Sequence, residues 1–65
     1  MSAALFFHYA KTNPDPIRRT NARLELKELM DPAQYRNFLE WVVKNDPDSE
    51  NRKEASRELS SLGGS

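Results

Sequence analysis

Residues 46–63 read DPDSENRKEASRELSSLG, and residues 13–30 read NPDPIRRTNARLELKELM. Both stretches have a proline at their second position, an aspartate at the third and an arginine at the seventh. Extending the comparison to residues 5–30 against 38–63 gives eight identities in 26 aligned pairs without a gap. A period of 33 residues lies in the range of helical arrays. The sequence therefore predicts a duplicated helical unit.

The identical apolar positions have helical spacing. Ala22, Leu26 and Leu29 lie four and three residues apart, which places them on one face of a helix. The second copy has the same spacing at Ala55, Leu59 and Leu62. These faces are expected to be buried against a bulkier first helix in each copy. The predicted core residues of those first helices are Leu5, Phe6, Tyr9 and Ala10, and Tyr35, Phe38, Leu39, Val42 and Val43.

Prolines beside capping residues mark the predicted helix boundaries. Asp31 precedes a proline, and the segments 13–16 and 46–48 combine prolines with Asn or Asp. Proline costs little at the first helical position, and it pushes the preceding residue out of the helical region. Four helices are therefore predicted, at about 3–12, 16–30, 32–45 and 48–62.

Short connections favour antiparallel packing of successive helices. The predicted fold is all-α, with two antiparallel helical hairpins packed as a compact four-helix unit. The first hairpin would cover about 3–30 and the second about 32–62. Residues 1–62 are expected to form a single domain, and residues 63–65 a flexible tail.

Residues 13–30 and 46–63 resemble the turn and second helix of a HEAT-type (HEAT-like) helical repeat. In that family a turn aspartate and an arginine a few residues later form a ladder between repeats. The resemblance assigns these roles to Asp15, Arg19, Asp48 and Arg52.

The chain departs from the family pattern at four positions. Arg18 and Asn51 stand where an aliphatic residue is usual, and Glu25 and Glu58 where a small residue is expected. Solenoid stacking and a compact bundle therefore both stay open. Because arrays normally need about three or more repeats, two copies indicate either an unusually compact pair or self-association.

Composition restricts the functional classes. Ten basic and ten acidic residues give a formal net charge of zero, so any nucleic-acid binding would need a local patch. The absence of cysteine excludes disulfides and thiolate chemistry and favours the cytoplasm. The uncharged stretch 1–10 is too short to span a bilayer and lacks the pattern of a secretory signal, so no membrane association is expected.

Catalytic chemistry has no visible set of residues. His8 is the only histidine, and it has no second metal ligand or triad partner at a suitable spacing. The acids are scattered over caps and polar helix faces. The sequence therefore predicts no catalytic, metal-binding or cofactor-binding residue, and no enzyme.

Aromatic residues indicate a partner-binding surface. The predicted third helix is apolar over more than half of its circumference, which one neighbouring helix cannot cover. Trp and Tyr are frequent interface anchors, although a small domain can also use them to widen its core. The residues assigned to partner binding are Tyr35, Phe38, Trp41, Val43 and Phe7. The leading hypothesis is a small adaptor or regulator that binds another protein, as a homodimer or as an accessory subunit of a larger assembly.

A basic stripe supplies the alternative hypothesis of nucleic-acid binding. Arg19, Arg23 and Lys27 recur every four residues on the second helix, with Arg18 alongside. Such a stripe could contact successive phosphates. The competing interpretation is a solvated face that Glu25 and Glu28 partly neutralise.

Overall fold

Four α-helices make up the part of the chain that the computed structural model describes, residues 3–63, with side chains described for 4–62. They are α1 (Ala3–Thr12), α2 (Pro16–Leu29), α3 (Pro32–Asn45) and α4 (Ser49–Gly63). Each bound lies within one residue of its prediction, and the all-α fold class is confirmed. Gly63, which was assigned to the tail, ends α4, and the rest of that predicted tail lies outside the described residues.

Aspartates begin the three later helices. The Asp15 carboxylate accepts a hydrogen bond from the backbone N–H of Ile17 at 2.9 Å, and Asp31 accepts one from Ala33 at 3.1 Å. Asp48 does the same at the start of α4. Side-chain acceptors satisfy N–H groups that have no partner inside the helix. A capping aspartate, followed by proline in α2 and α3 and by Ser49 in α4, therefore marks where these helices start.

The helices pack as two hairpins, α1 against α2 and α3 against α4. The two hairpins carry matching hydrogen bonds at positions 33 residues apart. Arg19 donates to the carbonyl oxygen of Asn13 at 2.6 Å, and Arg52 donates to that of Asp46 at 2.7 Å. The side chains of Asn13 and Asp46 also each accept from the amide two residues later, both at 2.9 Å. Equivalent turns are thus built in the same way.

One apolar core is shared by both hairpins. Leu26 of α2 and Leu39 of α3 are completely buried. The other buried apolar residues are Ala10, Ala22, Tyr35, Phe38, Val42 and Ala55. Neither hairpin alone contains the whole cluster, so each covers apolar surface of the other.

The last leucine of each predicted apolar face is not in this core. Leu29 is 51% exposed and Leu62 is 39% exposed, so their predicted burial is wrong. Both lie in the final turn of a helix, where less of the neighbouring helices covers the side chain. Leu59, one turn earlier than Leu62, is partly buried against the core.

Candidate partner-binding site

The five aromatic and aliphatic residues assigned to partner binding separate into two groups. Tyr35 and Phe38 are buried, at 3% and 2% exposure, and belong to the core. The assignment of these two as surface anchors is therefore replaced by a core role, because α3 turns them toward the other helices. Phe7, Trp41 and Val43 are partly buried and pack on the edge of the core.

An open groove lies between α1 and α3, beside the loop that ends α2. It has a volume of about 480 Å³ and is mainly apolar. We call it the aromatic groove; the residues that shape it are Phe7, Lys11, Met30, Gln34, Phe38 and Trp41. Three residues of the sequence prediction thus meet here, although Phe38 forms only the floor.

Aromatic rings order the floor and one wall of this groove. The Phe7 and Phe38 ring centroids are 5.2 Å apart at an interplanar angle of 48°, and Phe38 and Trp41 lie 6.3 Å apart with nearly parallel rings. Such tilted and offset pairs are favourable arrangements of aromatic quadrupoles. The Trp41 ring is therefore held in place before any partner arrives.

A cation stands over two of these rings. The ammonium nitrogen of Lys11 lies 4.3 Å from the Phe7 centroid and 4.7 Å from the Trp41 centroid. Both distances are within the range of a cation–π interaction. Lys11 thus combines with the rings to place one positive charge at the rim of an apolar surface.

Sequence reasoning missed Lys11 and Met30. Lys11 follows Phe7 by four residues, so the helical spacing that places a lysine stem over an aromatic ring was available. Met30, four residues after Leu26, is the last residue of the predicted second helix, and the structure places it just after the end of α2. A shallower apolar recess of about 170 Å³ continues from the groove past Met30 toward Ala4 and Leu26.

The four residues of the predicted basic stripe do not share one exposed surface. Arg18 and Lys27 are exposed, whereas Arg19 and Arg23 are buried at 6% and 4% exposure. The two buried arginines point at acids of the second hairpin rather than at solvent. A continuous row of phosphate contacts along α2 is therefore absent from the described side chains.

A polar seam joins the two hairpins beside the apolar core. Arg19 donates two hydrogen bonds to the Asp46 carboxylate, from Nε at 3.1 Å and from Nη2 at 3.2 Å. Thr20 donates to Asn51 at 2.7 Å, and the Asn51 amide donates to the carbonyl of Pro16 at 3.1 Å. The buried groups of α2 thus find partners on α4 and on the turn before it.

The acid that meets Arg19 differs from the one that the family resemblance implied. Asp46 is the partner, whereas Asp15 and Asp48 cap α2 and α4. The carboxylates of Asp15 and Asp48 instead face the first turn of their own helices, where they accept from the N–H groups of Ile17 and Asn51. Arg52 bonds to the Asp46 carbonyl within the second hairpin.

Glu58 gathers three donors from the two hairpins. Arg23 approaches Oε1 at 2.6 Å, the Tyr35 hydroxyl donates to Oε2 at 2.6 Å, and Lys27 lies 3.7 Å from Oε2. Burial by itself would raise the pKa of Glu58, but hydrogen bonds from Tyr35 and Arg23 and the nearby positive charges together lower it below 4.5. Burial, and then the hydrogen bond to Glu58 and its charge, raise the pKa of Tyr35 above 10.0.

A histidine site, a metal site and a membrane-spanning helix have little support in the described residues. The His8 side chain is exposed, with its ring 6.1 Å from that of Tyr9. No group of three His, Cys, Asp or Glu side chains within residues 4–62 is placed to hold a metal ion. None of the four described helices combines the length and the apolar character needed to cross a membrane.

Comparisons with family models, with curated proteins and with solved structures found no match to this chain. Function is therefore inferred from the physical properties of the aromatic groove and the polar seam alone.

Proposed function

We propose that this protein is a small helical adaptor that binds a segment of another protein in the aromatic groove. The observation that carries the proposal is the pair of partly buried rings, Phe7 and Trp41, which line an open groove beneath the Lys11 ammonium. A HEAT-type repeat origin, a regulatory or accessory role and a cytoplasmic location belong to the same proposal.

The shape of the groove favours a protein segment as its occupant. Its volume of about 480 Å³ could hold one or two large side chains, and the recess past Met30 lengthens the apolar surface along α2. Tryptophan in a well-packed pocket is enriched among residues that dominate binding energy. A helix or extended segment with two apolar side chains would cover both depressions.

The rim specifies the charge of that segment. Lys11 supplies a cation, and Gln34, which also lines the groove, supplies an amide that can donate or accept. A carboxylate next to the apolar anchor would pair with Lys11 near the low-dielectric ring surface, where charge pairs are stronger than in water. The preferred partner is therefore an acidic, amphipathic segment.

The test uses one set of variants in capture experiments from native lysate. Trp41→Ala, Gln34→Arg and Lys11→Glu are compared with Arg57→Ala, whose side chain is exposed on α4 away from the groove. The wild-type protein and Arg57→Ala should retain the same specific protein, and the three groove variants should lose it. Circular dichroism checks that each variant keeps its helix content.

Binding is then located directly with the captured partner. Trp41 is the only tryptophan, so its fluorescence reports on this groove alone. An emission change that saturates with the partner, and that Gln34→Arg abolishes, supports the proposal. A partner that binds all three folded groove variants as tightly as the wild type would overturn it.

A further inference from the structure

A second groove lies on the outer face of the first hairpin, on the side away from the second hairpin. It has a volume of about 610 Å³ between α1 and α2. We call it the outer groove; six of the residues that line it are Phe6, Tyr9, Asn13, Arg18, Asn21 and Glu25. Tyr9 is 42% exposed and the adjoining Leu24 is 48% exposed. The face therefore combines apolar side chains with opposite charges on α2.

The same positions of the second hairpin form an interface that is already filled. Val42, Asp46 and Asn51, each 33 residues after an outer-groove residue, are buried. Arg19 and Thr20 of the first hairpin cover them through the hydrogen bonds of the polar seam. The remaining space there is too small to admit a water molecule. The outer groove is thus the equivalent surface of the first hairpin, but no other helix among the described residues packs on it.

Head-to-tail stacking of copies does not supply that cover. In such a stack the second hairpin of one copy would occupy the place that the first hairpin takes inside the chain. By the 33-residue correspondence, Lys53 of the added copy would take the position of Thr20. It would lie opposite Arg18 of the first copy, which corresponds to Asn51. Two cations would replace the Thr20–Asn51 hydrogen bond, and like charges placed together at an interface are strongly unfavourable.

We propose instead that a second copy of this chain covers the outer groove through a two-fold axis, outer groove against outer groove. Arg18 and Glu25 lie on the same face of α2, seven residues or about 10 Å apart along the helix. If two α2 helices cross antiparallel, Arg18 of each copy meets Glu25 of the other. A two-fold interface requires this kind of self-complementary surface.

The centre of α2 fits such a crossing. The axis would pass midway between Arg18 and Glu25, at the exposed Asn21 and over Ala22, which lines the groove although it is almost completely buried in the chain and whose small side chain allows close approach. The contact between Arg18 and Asp15 within the chain is exposed and 3.8 Å long, so it competes little with a new partner. Tyr9 and Leu24 would supply the apolar area.

Sedimentation velocity over a range of concentrations tests the proposal. The wild-type protein should show a reversible monomer–dimer equilibrium. Arg18→Glu and Glu25→Arg should each weaken self-association about tenfold or more, because like charges then face each other across the axis. The double variant R18E/E25R should regain dimerisation, and Arg57→Glu, which makes the same charge change on exposed α4, should behave as wild type.

Several results would overturn this interface. They are a wild-type chain that stays monomeric up to about 1 mM, oligomers that grow beyond the dimer as concentration rises, and single variants that associate as strongly as wild type. Failure of the double variant to recover, with helix content unchanged, would also count against the Arg18–Glu25 pairing. Trp41→Ala should leave dimerisation intact, which separates this interface from the aromatic groove.

Discussion

Arg19 and Asp46 form a charge pair that is buried on both sides, with 6% and 3% of the side chains exposed. Burying two charges is costly, and the pair is tolerated because the guanidinium meets the carboxylate with two hydrogen bonds. The third guanidinium bond, to the carbonyl of Asn13, leaves few donors unsatisfied. The pair therefore favours one relative position of the two hairpins over others.

Removing one member of this pair should be far more damaging than removing an exposed one. Arg19→Met leaves the Asp46 carboxylate buried without its cation, which we expect to lower the free energy of unfolding by about 3–5 kcal/mol. Lys53→Met is the matched control, because its contact with Glu50 is exposed and worth about 0–1 kcal/mol. Urea denaturation of both variants measures the difference.

The double variant R19M/D46N is a second test of the same buried pair. With no charge left on either side, it should be more stable than Arg19→Met alone. Equal stability of the two, or a loss in Lys53→Met as large as that in Arg19→Met, would contradict an energetic role for the buried pair.

Tyr35 and Glu58 should make stability depend on pH at both ends of the range. Because folding raises the pKa of Tyr35 above 10.0, its contribution is complete below that pH and is lost as pH rises further. Because folding lowers the pKa of Glu58 below 4.5, its contribution is complete above that pH and is lost as pH falls through the lower, folded value.

Two variants separate these effects in unfolding curves measured across the pH range. Tyr35→Phe should flatten the alkaline decline in stability, and Glu58→Gln should flatten the acid decline. Tyr9→Phe, measured at concentrations where the chain is monomeric, serves as the control for loss of a phenol, because Tyr9 is 42% exposed. A Tyr35→Phe protein with the full alkaline decline would refute the assignment.

The burial of Arg19 and Arg23 shows what single-sequence reasoning misses at this scale. A row of cations every four residues is typical of a solvated helix face, and only the family resemblance, which gave Arg19 a role between the repeats, indicated otherwise. The acids that neutralise them, Asp46 and Glu58, lie 27 and 35 residues further along the chain. Which distant acid meets which arginine depends on how the hairpins dock, and that was not readable from local spacing.

The individual helices show what the sequence pattern can predict and what it cannot. Asp-Pro pairs and short turns were sufficient to place the helix ends within one residue. The apolar spacing of α2 correctly marked Ala22 and Leu26 as core, but it gave Leu29 the same status. Periodicity identifies the face on which a residue lies, whereas the reach of the neighbouring helices decides whether that part of the face is covered.

Two leucines on α2 allow the covered and uncovered parts of one helix face to be compared by measurement. Leu26→Ala removes a completely buried side chain and should cost about 2–5 kcal/mol of unfolding free energy. Leu29→Ala makes the same chemical change at a side chain that is 51% exposed, and should change stability by about 0.5 kcal/mol or less. Similar losses in the two variants would show that Leu29 is covered in solution.

The whole molecule depends on a core to which both hairpins contribute. Leu26 and Leu39 come from different hairpins, and both are completely buried in the docked pair. The site follows the same rule, since Phe7 belongs to the first hairpin and Trp41 to the second. The sequence supported the aromatic third helix as a candidate surface, but the pairing with α1 that creates the groove required the docked hairpins.

Unfolding should therefore occur in one cooperative transition. Circular dichroism, which follows all four helices, and Trp41 fluorescence, which follows the contact between α1 and α3, should give the same urea midpoint. Urea denaturation monitored by both probes on one sample makes the comparison. A fluorescence change well before the loss of helix would show that the hairpins separate while each stays folded.

The short turns of this fold also have a consequence for how fast it forms. Each hairpin joins helices through three residues, 13–15 in one case and 46–48 in the other, so most of its contacts are close in sequence. Chains dominated by such local contacts fold within microseconds to milliseconds. The Arg19–Asp46 bond needs both hairpins in place, so we expect it to form after the rate-limiting step. It would then mainly lower the unfolding rate, which prolongs the lifetime of the native state without speeding its formation.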